Sequence, residues 1–157
     1  MGLKENMQQE QVSDLAIRDA IVVTAGSPLC EVIALMRAKQ LGCALVVDPD
    51  GKPLGTFTER TMIDTLLRFP QDFMEHTVGD HVYSSAVFVN QSDPIHQVWD
   101  AIQNQGRRFV GVVDDEGKPV GLTGQKGISE YIAEHCPQQV MVQRIGGKPG
   151  HQEREGA

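Results

Sequence analysis

The stretch VVDPDGKPLG at 46–55 returns as VVDDEGKPVG at 112–121, and the offset of 66 residues extends far beyond it without a gap. The same shift pairs Val12 with Val78, Asp14 with Asp80, Ala20 with Ala86, Pro28 with Pro94 and Val32 with Val98. A chain that repeats itself in this way is built from two like units. Each copy, 12–67 and 78–133, is too small to bury a comfortable core alone, so the two are expected to pack together over a shared interior. A length of 157 residues with 40% hydrophobic content suits such a pair.

Both copies carry the same local signals. Ser27 and Pro28 read as an N-cap and first-turn proline, followed by Leu29, Val32, Ile33 and Met36 on one helical stripe. Asp93 and Pro94 introduce Ile95, Val98, Trp99 and Ile102 at identical spacing. Upstream lie the short strand-like runs IVVT (21–24) and VFVN (87–90), and downstream the buried-strand runs CALVV (43–47) and FVGVV (109–113). DPDGKP and DDEGKP supply the acid, glycine and proline of hairpin loops. A further strand beginning at Gly55 or Gly121 leads to a second helix, carrying Met62, Ile63, Leu66 and Leu67 in one copy and Ile128, Tyr131 and Ile132 in the other.

The fold class expected is therefore α/β (α+β), two β-α-β-β-α repeats packed as a pseudo-twofold pair. Residues 1–11 form a leading segment and 68–77 a linker whose Phe69, Phe73 and Met74 cover the seam. Residues 134–157 form a tail, of which the Gly-rich, charged GGKPGHQEREGA (146–157) is expected to be disordered.

The order of these features resembles a tandem pair of cystathionine-beta-synthase (CBS) domains, a Bateman module. The likeness rests on VSD and VGD opening each copy, the S-P-x-x-E-V and D-P-x-x-Q-V helix starts, the two hairpins, and the strand-to-helix joint GTFTERTMI (55–63). It covers roughly residues 12–133. The resemblance implies two clefts between the halves that often take adenosine-containing ligands, with AMP, ADP, ATP or S-adenosylmethionine as candidates, and face-to-face homodimerisation.

In that family the joint reads Gly, two apolar residues, Thr or Ser, two more residues, then Asp. The hydroxyl and free amides of a helix N-terminus meet phosphate, and the acid meets ribose hydroxyls. The first copy keeps Gly55 and Thr58 and adds Arg60, but Thr61 stands at the Asp position. The second keeps Gly121, with Gly124 and Gly127 at the other two positions, so its site is expected to be lost or altered. Arg107 and Arg108 stand where family members often place a phosphate-binding base, and with Lys126 they either form an anion-attracting cleft or are solvated surface charge. Thr58 is likewise either a helix cap alone or a cap that also meets ligand. The ligand-binding candidates are Thr24, Thr58, Arg60, Thr61, Arg107, Arg108 and Lys126.

Other chemistries find less support. The net charge of −7 disfavours nucleic acid and anionic membrane surfaces, and no apolar run approaches a membrane span, so a cytoplasmic protein is expected. Cys30, Cys43 and Cys136 lack paired spacing and are expected to be reduced thiols. Cys30 stands in a first helical turn with His96 as its counterpart, so no base accompanies it. His76 and His81, with Asp80 between them, lack the spacing of a metal site. No nucleophile with a base is recognisable, and neither catalysis nor a metal is expected. What remains is a regulatory, homodimeric nucleotide or anion sensor acting on a partner protein, or else a ligand-free dimerisation scaffold.

Overall fold

The computed structural model describes residues 2–84 and 86–135, so the expected disorder of 146–157 falls outside the described residues. After a short helix α1 (Leu3–Gln9), the first repeat runs β1 (Ile21–Thr24), α2 (Leu29–Lys39), β2 (Cys43–Val47), β3 (Pro53–Thr58), α3 (Glu59–Arg68). The second runs β4 (Phe88–Asn90), α4 (His96–Gln103), β5 (Phe109–Val113), β6 (Pro119–Gly124), α5 (Gln125–His135). Each forms a three-stranded sheet in chain order, with a parallel first pair and an antiparallel hairpin. The hairpins even share an irregularity, between Val46 and Val47 and between Val112 and Val113. β3 and β6 begin at Pro53 and Pro119, two residues before the glycines expected to open them.

The continuous apolar run of β2 follows from its having two buried faces. Ala44 and Val46 pack under the first repeat's helices, whereas Cys43 and Leu45 face the other sheet, meeting Leu122 with Ala20, Phe88 and Phe109 around them. Burial pushes the Cys43 thiol up to about 12, so it behaves as a small apolar side chain.

The leading segments cross over. Val12 lies in the second repeat's core, with Met7 of α1, while Val78 lies in the first repeat's core, with Phe73. Met7 and Phe73, and Leu3 and Phe69, are themselves 66 residues apart, so the duplication includes the segment before each repeat. Phe73 accordingly covers the first repeat rather than the seam between sheets, and Met74 is half exposed.

The crossing also explains why the expected caps are displaced. α2 starts at Leu29, whose N–H donates to the carbonyl of His76 (2.9 Å), and Ile95 N–H donates to Glu10 (3.0 Å). These carbonyls take the donors that a side chain would otherwise cap. Ser27 Oγ turns to Thr24 Oγ1 (3.3 Å), and Asp93 accepts from Asn90 N–H (2.8 Å).

The apolar stripe of α3 is divided, with Met62 packed against the first repeat's core. Ile63, Leu66 and Leu67 are exposed, whereas Ile128 and Tyr131 of α5 are buried under the second repeat.

Candidate functional site

The two sheets leave a cleft on either side of their contact. The first, of about 620 Å³, is lined by Thr56, Thr58, Glu59, Arg60, Thr61 and Asp64 of the β3–α3 joint and helix. Across it stand Tyr83 and Ala86 of the crossing segment, then Gly106, Arg107, Arg108 and Phe109. The second, of about 340 Å³, is lined by Leu122–Gly127 around the β6–α5 joint, Ala16, Arg18, Gln40 and Leu41, with Gly42, Arg108 and Phe109 shared by both clefts. Under the 66-residue shift these linings largely exchange: Thr58 answers to Gly124, Arg60 to Lys126, Arg107 to Leu41 and Arg108 to Gly42.

Thr58 caps α3. Its Oγ1 accepts from Thr61 N–H (3.2 Å) and lies 3.1 Å from Thr61 Oγ1, so the two hydroxyls form one short row at the helix N-terminus. Two first-turn amides are already engaged, Glu59 N–H with the Gly42 carbonyl (3.1 Å) and Thr61 N–H with Thr58, so what favours negative charge here is the helix dipole and the Arg60 cation beside it. Arg107 is less available than its sequence position suggests: its Nη1 donates to Tyr83 Oη (2.7 Å) and its guanidinium lies 5.1 Å from the Tyr83 ring centroid. Its Nε is buried and meets no acceptor within the described residues. Arg108 lies over Phe109, 5.4 Å from the ring centroid.

Of the sequence candidates, the first cleft thus gathers Thr58, Arg60, Thr61, Arg107 and Arg108, and the second Arg108 and Lys126. Thr24 lines neither: it ends β1, exposed, beside Ser27. Asp64, Tyr83, Glu59 and Thr123 were not singled out from sequence. Asp64 follows Thr61 by three residues on α3, so helical period places a carboxylate one turn below the position expected to hold the acid.

Gly124 and Gly127 have a packing reason. A Cβ on Gly124 would stand 2.4 Å from the carbonyl oxygen of Arg108, and one on Gly127 would stand 2.4 Å from Thr123 Oγ1. That buried hydroxyl has no partner among the described residues, so the joint keeps a polar group one residue before the expected place.

His76 and His81 do come together: His76 Nδ1 lies 2.6 Å from His81 Nε2, the rings stack, and Asp72 rather than Asp80 meets His76 Nε2 at 3.0 Å. Among the described residues no group of three or more His, Cys, Asp or Glu side chains is arranged to hold a metal ion. No described helix is long and apolar enough to cross a membrane.

The CBS-domain family model matches residues 12–68 and 78–134. The chain belongs to the CBS-domain family. As a CBS pair it is similar over 84% of its length to 99% of a CBS domain-containing protein of Bacillus anthracis (TM-score 0.72, 17% identity). It is similar over 75% of its length to 89% of a CBS domain protein of Pyrobaculum aerophilum complexed with AMP (TM-score 0.67, 20% identity). An uncharacterized protein of Methanopyrus kandleri is 23% identical over 122 residues, 78% of this chain, which spans 62% of that relative's length. At these identities the two solved structures establish the fold of this CBS pair, and the clefts described above lie between its halves.

Proposed function

We propose that this CBS pair is a non-catalytic regulatory module that takes an adenine nucleotide or a related anion in the cleft beside Thr58. It works as a homodimer and passes cleft occupancy to a partner protein. One observation carries the reading: an acidic chain gathers Arg60, Arg107 and Arg108 around a capped helix N-terminus, with the Asp64 carboxylate in the same cleft. Cations together with the carboxylate acceptors of Glu59 and Asp64 in one cleft suit a ligand with an anionic group and hydroxyl donors. The AMP carried by the Pyrobaculum aerophilum protein fits that description. The exposed Leu35, Ile63, Leu66 and Leu67 on α2 and α3 favour a second copy as their cover.

The test is a thermal melt with AMP, ADP, ATP and S-adenosylmethionine. Ligand at about 100 times its dissociation constant adds about 2.7 kcal/mol of stability. No shift with any of them at millimolar concentration would overturn the reading in favour of a ligand-free scaffold.

A further inference from the structure

The two clefts share a wall, and the wall has one cation. Gly42 and Arg108 are pseudo-twofold equivalents, 66 residues apart, and each lines both clefts. A symmetric pair would place a guanidinium at each position. Position 42 instead has no side chain, and a Cβ there would meet the Phe109 ring and the Glu59 carboxyl at 3.2 and 3.3 Å, so a larger residue would require both to give way slightly.

The remaining cations of the second cleft do not make up the difference. Arg18 is paired with Glu130 (3.1 Å), and the equivalent of Arg107 is Leu41. Lys126 stands alone beside Arg108 there.

We infer that the two clefts compete for Arg108, so that an anion bound beside Thr58 weakens anion binding beside Lys126, and the reverse. This rests on the proposed anion-binding reading and adds its regulation. Two placements of the guanidinium give this sign. If Arg108 turns to the first anion, the second loses a charge-assisted contact. If it bridges both, the two anions repel each other across a charge already neutralised. Losing a hydrogen bond to a charged group weakens binding about tenfold or more. The consequence is a module that fills one cleft over a wide concentration range and the second only at excess.

The experiment titrates AMP into the full chain, reading the backbone amide signals of Gly106 for the first cleft and of Gly127 for the second. In the wild type, Gly127 saturates only after Gly106. Arg60→Ala weakens the first cleft, leaves Arg108 to the second, and moves the Gly127 midpoint about tenfold lower. In an Arg108→Gln background the same Arg60→Ala substitution leaves the Gly127 midpoint where it was, which closes a double-mutant cycle. A Gly127 midpoint indifferent to Arg60→Ala in the wild-type background, or no Gly127 response even then, overturns the competition while leaving the first cleft's function intact. Silence of both glycines with AMP, and with ADP and ATP in its place, overturns the proposed function and the competition together.

Discussion

Arg18 and Leu122 exchange a reciprocal pair of backbone hydrogen bonds, each 2.9 Å, and Tyr83 and Thr56 exchange a pair of 2.8 and 3.2 Å on the other side of the pseudo-twofold. Each pair lays the other copy's entry segment against the outer strand of a sheet at one point, which obstructs that edge against pairing with another chain. The approach is so close that a Cβ on Gly121 would lie 2.4 Å from the Arg18 carbonyl oxygen, and one on Gly55 2.4 Å from that of Tyr83.

Gly121→Ala therefore forces the crossing segment off β6. The expected loss is about 1–3 kcal/mol, the usual cost of overpacking, read from urea unfolding. Gly26→Ala, where an added Cβ meets nothing within 4 Å, is the control and stays near the wild type.

Thr58→Ala removes both the α3 cap and the hydroxyl row with Thr61. It is expected to cost about 1 kcal/mol of stability without ligand. The separation comes from Thr58→Asn, which keeps a capping oxygen but has no hydroxyl: stability is expected to return while nucleotide binding stays weak. Full recovery of binding in Thr58→Asn would mean that the hydroxyl is not what meets the ligand.

Asp64 is exposed on α3 and lines the first cleft. Asp64→Asn replaces a charge-assisted acceptor with a neutral one, so AMP binding weakens about tenfold, whereas inorganic phosphate, which has no ribose, binds as before. Calorimetry with both probes checks this. Equal losses for AMP and phosphate would place the carboxylate's effect on the anionic end instead.

Burial and the neighbouring His76 hold His81 below the ordinary 6.5, with Arg68 adding to the depression and Asp80 opposing it. The sign follows: the folded state takes up this proton less readily than the unfolded chain. The contribution is whole above about pH 6.5 and is lost as pH falls through the folded value. A melting temperature that falls between pH 7.5 and 5.5, with a shallower slope in His81→Gln, is expected. Asp72 and Asp80 lie below 3.8, held down first by hydrogen bonds from the His76 and Thr77 side chains, so they act only in stronger acid.

Leu67 is 76% exposed on α3, beside Leu66 and Ile63. Leu67→Glu leaves the monomer fold within about 0.5 kcal/mol, because a surface substitution disturbs no core contact. In light scattering the wild type is expected to run as a dimer and the variant, at the same concentration, as a monomer. An unchanged dimer would place the interface on another face.

The sequence by itself determined the local pieces. β1, β2 and β5 begin and end where their apolar runs do, and both hairpins form where aspartate, glycine and proline demand a turn. The Thr58 joint was legible for the same reason, since a cap and its helix are neighbours in the chain. What lay beyond local reading was decided by contacts between residues far apart. Ser27 and Asp93 look like caps, yet α2 and α4 receive carbonyls from His76 and Glu10, because each leading segment crosses to cover the other copy's core. Asp64 enters the cleft only once α3 is set against the opposite crossing segment, and Arg108 serves two clefts only because β2 and β5 pack face to face. Periodicity and turn chemistry act over a few residues. The choice of which apolar face covers which is made by burial across the whole chain, and that choice exists only in the folded molecule.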